Sequence, residues 1–281
     1  MSRRDAPAAA RWAGYNAVAI VFAIACGFLS HWQFTRNEGR ARQLALVEAN
    51  YDRAPVPLAE VLSPGAELAA SDEWMPVEVT GSYLADDELL VRNRPHGGTS
   101  AFEVLVPFRL DDGRVLIVDR GWVPPGDPQP APDTVPAPPD GEVTVIVRLR
   151  PGEPLPSGRT LEAGQVPTIH LPSIAEQVAA GDAIEMGAYG LMVSEDPAPA
   201  SAPSPLEAPT DDPGPHLSYA VQWIIFAVMG FAFIGYIIVS ERRIRREEAE
   251  DAAAGVTRPP RKRRRDRDSA DEDALLDTAA R

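Results

Sequence analysis

The sequence predicts an α+β membrane protein in which two transmembrane helices flank an extracytoplasmic, antiparallel β-rich domain with one or two helices. Two runs, 12–35 and 213–240, contain no acidic or basic residue other than histidine. Arg11 and Arg36 border the first run, and a group of arginines follows the second. The segment between the runs contains short stretches in which apolar and polar residues alternate, as half-buried strands require. These three observations define the predicted architecture.

Each uncharged run is long enough to cross about 30 Å of hydrocarbon as a helix that rises about 1.5 Å per residue. Aromatic residues near the ends of both runs suit the membrane interface; they are Trp12, Tyr15, Trp32, Tyr219, Trp223 and Tyr236. An alternative for the first run is a cleaved signal peptide, with Cys26 as a lipoprotein cleavage site. Because the apolar run continues through 27–29, a retained anchor is favoured.

The arginines predict the orientation of the chain. Arg3, Arg4 and Arg11 precede the first run, and four arginines between 242 and 246 follow the second. The positive-inside rule therefore predicts a multi-pass protein of the bacterial plasma membrane with both termini in the cytoplasm. The expected order is a cytoplasmic N-terminus (1–11), helix (12–35), outer domain ending in a Pro-rich tether (36–212), helix (213–240) and a disordered cytoplasmic tail (241–281). The basic cluster at 261–265 is expected to meet anionic lipid headgroups.

The outer domain is predicted element by element. A helix over 36–53 is expected to end before Pro55 and Pro57. Strands are expected over 77–80, which Gly81 breaks, and over 88–93, 142–149 and 189–193, and a hairpin is expected to join 102–110 to 114–118 through a turn at 111–113. A short helix is expected over 171–180. The Pro-rich stretches 124–139 and 197–215 predict an exposed loop and a semi-rigid tether. The strands predict an antiparallel sheet or a small partial barrel.

The composition excludes several classes of function. Acidic residues outnumber arginines more than two to one between 37 and 215, so the domain has no basic surface for nucleic acid. Cys26 is the single cysteine and Lys262 the single lysine, which excludes a disulfide framework, a cysteine zinc site and a catalytic lysine in the domain. Hydrolase, metalloprotease and phosphate-loop motifs are absent from the sequence. We therefore expect a protein without enzymatic activity.

Four ordered motifs resemble a known family. The first helix ends in a W-Q-x-x-R pattern, the domain contains an Asn-Arg pair and a D-R-G-W-x-P sequence, and the second helix opens with H-x-x-Y-x-x-Q-W. The motif residues are Trp32, Gln33, Arg36, Asn93, Arg94, Arg120, Gly121, Trp122, Pro124, His216, Tyr219, Gln222 and Trp223. In this order, over about 20–240, they resemble the surfeit-locus family of cytochrome c oxidase assembly proteins. The stretch 97–102, Gly-Gly-Thr-Ser-Ala-Phe, departs from the family's usual Gly-aromatic pair.

This resemblance implies a non-catalytic assembly factor for cytochrome c oxidase. Bacterial members are thought to bind haem a and to support its insertion into the large oxidase subunit, so haem a is the implied cofactor. The large subunit is the implied partner, together with haem a synthase and the lipid bilayer. His216 occupies the position of the family's favoured ligand to the haem iron.

Other candidate haem contacts remain open between two interpretations. His31 is expected near the same membrane surface as His216 and could supply a second axial ligand, while Tyr219 and Trp223 share a helical face with His216. Arg94 and Arg120 could bind haem propionates or oxidase carboxylates. Alternatively, His216 anchors the helix end at the interface, and the arginines form salt bridges within the domain, for instance with Asp119.

A second functional class is also compatible with the sequence. A membrane-tethered, extracytoplasmic ligand-binding or sensing domain would need the same topology without using His216. It predicts a soluble ligand for the domain and a silent His216→Ala substitution.

Overall fold

The computed structural model describes residues 8–127, 131–158 and 163–255. Arg3, Arg4, the basic cluster 261–265 and most of the predicted tail lie outside the described residues. The chain divides into two compact units, one formed by the chain up to Thr35 together with the chain from Pro215, and the other by Arg36–Gly214. The predicted α+β class is confirmed, with α-helices and a mixed β-sheet.

Two long helices, α1 (Ala8–Asn50) and α4 (His216–Ala253), are long and apolar enough to cross a membrane by length and composition. The predicted helices 12–35 and 36–53 are parts of the single helix α1. A change from apolar to charged side chains does not interrupt the backbone hydrogen bonds of a helix, and no proline lies between 8 and 50 to do so. Likewise α4 continues beyond the predicted end at residue 240.

The second unit is built on eight strands: β1 (Val56–Pro57), β2 (Pro76–Tyr83), β3 (Leu89–His96), β4 (Thr99–Leu110), β5 (Val115–Val123), β6 (Val143–Arg150), β7 (Gln165–Val166) and β8 (Tyr189–Asp196). Short helices α2 (Leu58–Val61) and α3 (Leu171–Ala175) lie between them. Single 3-10 turns occupy Ala70–Asp72, Ala85–Asp87 and Gly181–Ala183.

Five of the strands close a ring. Strand β2 pairs with β6, β6 with β8, β8 with β5, β5 with β4, and β4 returns to β2 through three residue pairs. The partial barrel that the sequence predicts is therefore present. The expected antiparallel arrangement is wrong in part, because β5–β8, β1–β2 and β3–β7 are parallel. The long connection from β6 to β8, which carries β7 and α3, lets β8 run parallel to β5.

The apolar core lies on both faces of strands β4 and β5. Inside the ring, the predicted alternating valines of β6 pack with Phe108, Leu116 and Val118. On the other face, Val115 and Ile117 pack with Ile174 and the rest of α3. Because β5 is buried on both faces, its first four residues, 115–118, are all apolar and do not alternate with polar residues.

The structure corrects two of the predicted elements. Gly81 does not break a strand but lies within β2, at the point where β2 pairs with both β6 and β4. A Cβ atom there would lie 2.0 Å from the carbonyl oxygen of Arg109, so glycine permits the ring to close. The predicted helix 171–180 is shorter, because α3 ends at Ala175 where the chain turns back and Gly181 packs against the Ala175 carbonyl.

The hairpin at 111–113 is confirmed, with Gly113 in the left-handed region at φ 89°. The departure at 97–102 forms a second hairpin, in which Gly97 and Gly98 have φ values of 57° and 78° between β3 and β4. Positive φ at both central residues is typical of the type I′ turn. The glycine pair thus provides a tight hairpin between β3 and β4.

Gly121 holds the Pro-rich tether against the domain. Ser204 exchanges two backbone hydrogen bonds of 2.9 Å with Trp122, and Gly121 has φ 125°. A Cβ atom at Gly121 would lie 2.3 Å from the Ser204 carbonyl oxygen. The tether therefore approaches β5 only where the side chain is absent.

We expect Gly121→Ala to lower the free energy of unfolding by about 2 kcal/mol or more, because it adds both a backbone clash and an unfavourable φ. Gly141→Ala is the matched control, since Gly141 also has positive φ but a Cβ atom there would meet no other atom within 4 Å. It should cost about 1 kcal/mol. Urea unfolding of the full chain in detergent measures both values, and equal losses would contradict the role assigned to the contact with Ser204.

Candidate functional site

The pair of helices α1 and α4 packs through small residues. Ala19, Cys26, Ser30 and Ala220 are buried, and Ser30 Oγ donates a 2.9 Å hydrogen bond to the Ala220 carbonyl oxygen. Small side chains let two helix backbones approach closely, as is common in membranes. Large apolar side chains cover the outside of the pair, including Val18, Val21, Val228 and Phe233.

His216, the first residue of α4, is positioned by Gln33 of α1. The two side chains meet at 3.0 Å between His216 Nδ1 and Gln33 Oε1. An amide oxygen accepts hydrogen bonds but cannot donate them, so Nδ1 donates its hydrogen to Gln33. In the neutral imidazole the lone pair of Nε2 is then available to a metal ion, and a hydrogen bond of this kind commonly orients a histidine ligand.

The neighbours of His216 on α4 form a largely apolar surface. Tyr219 is exposed, and Trp223 is half-buried with its ring edge-on to Phe226 at 5.7 Å. Gln222 is exposed on the same helix. Positions 216, 219 and 223 share one helical face, as the sequence spacing predicts.

His31 does not lie on the side of α1 that carries Gln33. Because a helix turns about 100° per residue, His31 projects from α1 roughly 200° away from Gln33. Its side chain is exposed, whereas Ser30 and Gln33 contact α4. The described contacts therefore give no support to paired axial ligands from His31 and His216. Trp32 and Arg36 are also exposed on this part of α1.

At the end of the helix pair remote from His216, a polar cluster joins α1 to α4. Glu241 Oε2 accepts hydrogen bonds from Arg11 Nη2 at 2.8 Å and from Trp12 Nε1 at 2.9 Å. The Arg242 guanidinium lies over the Trp12 ring at 4.7 Å. Basic residues from both helices therefore meet at this end.

In the second unit, Arg120 lies inside the protein. Its side chain is 0% exposed, and it donates to Glu195 Oε1 at 2.8 Å and to the Pro136 carbonyl oxygen at 2.9 Å. The Tyr83 hydroxyl donates to the other Glu195 oxygen, and burial raises the pKa of Tyr83 well above its usual value. The hypothesis that Arg120 meets an external carboxylate does not fit this burial. The salt-bridge alternative fits, but the partner is Glu195 instead of Asp119.

Arg94 also pairs within the domain. Its Nη2 donates to both carboxylate oxygens of Glu153 at 2.7 Å, and its Nε forms a 2.7 Å ion pair with Glu103 Oε2. Burial alone lowers the pKa of the guanidinium, and the two carboxylates outweigh burial and raise it. Asn93, in the left-handed region at φ 63°, lies at the irregularity between β3 and β4 that places Arg94 here.

A cavity of about 200 Å³ opens beside this ion-pair cluster. Its lining residues are Tyr51, Trp74, Arg94, His96, Glu103, Asp119, Arg148, Arg150, Glu153, Tyr189, Leu191, Met192, Leu206 and Glu207. Asp119 is 1% exposed and its Oδ2 has no hydrogen-bond partner among the described residues. Burial, followed by the Glu103 charge, raises the pKa of Asp119 well above its ordinary value.

Trp122 and Gly97 complete the edge of this cluster. The Trp122 indole stacks on the His96 ring at 5.6 Å with an interplanar angle of 10°. His96 Nε2 lies 2.9 Å from Glu103 Oε1. A Cβ at Gly97 would lie 2.9 Å from the indole, so the hairpin glycine makes room for this stack. Pro124 follows β5 directly.

No motif or local pattern in the sequence indicated a role for most of this cluster, and Asp119 was expected only as a salt-bridge partner. The residues without such a signal are His96, Glu103, Glu153, Trp74, Arg148 and Arg150. The available signal was Asp119 itself, since a carboxylate within the apolar run 115–118 must be buried with the strand. In the part of the chain that the structure describes, no group of three or more His, Cys, Asp or Glu side chains could hold a metal ion.

Comparison with known proteins identifies the family. A family model described as the SURF1 family matches residues 20–228. This chain belongs to the SURF1 family. The resemblance that the motifs predict is thereby confirmed.

Curated relatives differ in how much of the chain they match. An uncharacterized SURF1-like protein of Mycobacterium bovis is 35% identical over 243 residues, which cover 84% of this chain and 87% of that protein. The cytochrome oxidase assembly protein SHY1 of Saccharomyces cerevisiae is 26% identical over 130 residues, or 44% of this chain and 32% of the yeast protein. A SURF1-like protein of Monosiga brevicollis is 34% identical over 110 residues, covering 34% of this chain and 40% of that protein.

In this SURF1 protein, Arg120→Ala is expected to lower the free energy of unfolding by about 3 kcal/mol or more, because it leaves the Glu195 carboxylate buried without its cation. Arg109→Ala, at an exposed position of β4, is the control and should change stability by less than about 0.5 kcal/mol. Urea unfolding measures both. A loss at Arg120 no larger than that at Arg109 would contradict the structural role.

We expect the free energy of unfolding of the Asp119→Asn variant to increase relative to that of the native protein as pH rises. The unfolded Asp119 loses its proton near pH 3.9, whereas the folded protein retains it to a higher pH, so this group lowers stability as pH increases between the two pKa values. Asparagine removes that loss and retains an oxygen to accept from Gly121 N.

Unfolding curves of the two proteins between pH 4 and pH 8 measure the difference. Asp111→Asn, in the exposed turn, is the control and should leave the profile unchanged. A stability difference between Asp119→Asn and the native protein that does not vary with pH would refute the protonated, buried carboxyl.

Proposed function

We propose that this SURF1-family protein is an assembly factor for cytochrome c oxidase and not an enzyme. Family membership supports the proposal, as does the similarity to a yeast protein that is itself named as a cytochrome oxidase assembly protein. The large oxidase subunit and haem a synthase are the proposed partners.

The proposed topology has two membrane-spanning helices, both termini in the cytoplasm of a bacterium and the β-rich unit outside. The two apolar helices support it, and so does the end of the pair where Arg11 and Arg242 meet around Trp12 and Glu241. Arginines from both helices at one end match the positive-inside rule for a pair whose termini share one compartment.

Haem a is the proposed cofactor, and His216 its proposed iron ligand from this chain. The observation that carries this proposal is the contact between His216 Nδ1 and Gln33 Oε1, which in the neutral imidazole leaves the lone pair of Nε2 available to iron. The single imidazole, with the exposed Tyr219 and the half-buried Trp223 on the same face, fits a flat, largely apolar ligand. Bound haem would supply redox-active iron, and Gln33 would hold the imidazole in the ligating tautomer.

The experiment uses a deletion strain complemented with the native gene or with variants. We expect His216→Ala to reduce the haem a copurified with the full-length protein by about tenfold or more, and Gln33→Leu to weaken binding by about tenfold through loss of the fixed tautomer. His31→Ala is the matched histidine control and should retain haem within about twofold. Reduced-minus-oxidised spectra of the membranes should lose the haem a signal in the deletion strain while haems b and c remain.

Different outcomes refute different parts of the proposal. Equal haem in His216→Ala and native protein would remove His216 as a ligand, while a normal haem a signal in a deletion strain without a second copy of the gene would refute the assembly role. The latter result would favour the membrane-tethered ligand-binding domain, for which the cavity beside Arg94 is the supporting observation.

A further inference from the structure

The cavity in the β-rich unit carries a second inference. We propose that it binds a small organic acid through the acid's carboxylate, with Arg148 as the principal contact. The site consists of residues of the Arg36–Gly214 unit alone, and the proposal does not depend on the role in oxidase assembly.

The guanidinium of Arg148 is held in place by Tyr51, and its two terminal nitrogens are available to a ligand. Its guanidinium carbon lies 3.6 Å from the centre of the Tyr51 ring, and its Nε donates to the Tyr51 carbonyl oxygen at 2.9 Å. Within the described ranges, its two terminal nitrogens have no hydrogen-bond or ion-pair partner. A fixed guanidinium with both terminal nitrogens available is the arrangement that binds a carboxylate through two parallel hydrogen bonds.

The other two arginines that line the cavity are paired with acids of the same unit. Arg94 pairs with Glu103 and Glu153, and Arg150 Nη1 lies 3.3 Å from Glu73 Oε1. Burial and the nearby Glu103 charge raise the pKa of Asp119, which favours its neutral form. Arg148 is therefore the lining arginine for which no acid of the described residues forms an ion pair. An anionic ligand would compensate its charge.

The walls and the size of the cavity limit the part of the ligand that lies beyond its carboxylate. Aromatic rings of Tyr51 and Trp74 stand 5.9 Å apart, Arg150 covers the Trp74 ring at 3.9 Å, and Leu191, Met192 and Leu206 add apolar surface. A volume of about 200 Å³ is below the range of about 300–1,000 Å³ that suits drug-sized ligands. The occupant is thus a short carboxylate with an apolar body.

Backbone strain also points to this site. Of the non-glycine residues in the described ranges, Trp74 and Asn93 have positive φ, at 71° and 63°. Trp74 lines the cavity and Asn93 directly precedes Arg94, which also lines it. A tryptophan in the left-handed region is unfavourable unless its surroundings impose it, and such residues cluster at ligand sites. The Trp74 indole nitrogen is buried, with no hydrogen-bond partner among the described residues.

Methionine methyl NMR of the full chain in detergent micelles tests the proposal. Met192 lines the cavity, whereas Met229 lies on α4 and Met186 is exposed away from it, so the latter two are internal references. Titration with acetate, butyrate and benzoate should shift the Met192 methyl signal saturably. The matched acetamide, butyramide and benzamide should bind at least about tenfold more weakly, because they lack the charge that Arg148 recognises.

Two substitutions should act in opposite directions. Arg148→Gln should weaken butyrate binding by about tenfold or more. Glu207→Gln should strengthen it by about twofold or more, because it removes an exposed carboxylate that lines the cavity and repels an anion. Arg109→Gln, on an exposed part of β4, is the charge-matched control and should have no effect. Thermal unfolding of each variant verifies folding before binding is compared.

The assignment to a carboxylate is overturned by equal shifts with inorganic phosphate or chloride at the same ionic strength, which would indicate a general anion site. It is also overturned if the amides bind as well as the acids, or if Glu207→Gln, at an exposed position, does not strengthen binding. Loss of oxidase assembly in cells with unchanged butyrate binding would refute neither the site nor its chemistry, so the two proposals fail separately.

Discussion

Strand β2 pairs with β6 along most of its length and with β4 over its last three residues, and it can do both because Gly81 brings no side chain into the crossing. This closure turns a sheet into a ring and gives the unit an interior. The valines of β6 fill the ring, and the second face of β4 and β5 packs against α3. The buried ionisable residues lie on strands of the ring or on β3, which pairs with β4, or they are bound by residues of those strands.

Ion pairs occupy buried and partly buried positions of the unit. Arg120 with Glu195 is a buried pair, and Arg94 with Glu103 and Glu153 is a partly exposed group; removal of either arginine would leave carboxylates without their cation. Such networks contribute little net stability compared with apolar packing, but they fix one arrangement of strands and loops. Arg120 connects the Pro-rich loop at Pro136 to the ring, and Glu153 connects Arg94 to Thr168 and Ile169. Among the described residues, this network provides no ion-pair partner for Arg148, which lines the cavity.

The helix pair follows a different physical principle. Small residues allow α1 and α4 to approach, and polar contacts at each end specify their register: Gln33 with His216 at one end, and Arg11 and Trp12 with Glu241 at the other. A hydrogen bond in an apolar environment is costly to leave unmade, so these contacts select one alignment of two otherwise apolar surfaces. The contact that specifies register at His216 also sets its tautomer. The register of the helices and the orientation of the His216 ring therefore depend on the same pair of residues.

The sequence by itself determined the two apolar helices, the 111–113 turn, the alternating strand β6 and the family, because each depends on local periodicity, charge or an ordered motif. The interpretation of Gly81 as a strand break and of 171–180 as one helix could not be corrected from sequence, and the choice between an external and an internal partner for Arg120 could not be made. Each depends on what packs against that residue from another part of the chain. Only the tertiary structure brings Arg94 to Glu153 and Arg148 to Tyr51. These residues are separated by long stretches of chain, and local sequence does not specify which strand edges close on one another. Ring closure thus decides which arginines meet an acidic partner, as Arg94 and Arg120 do, and which do not, as with Arg148.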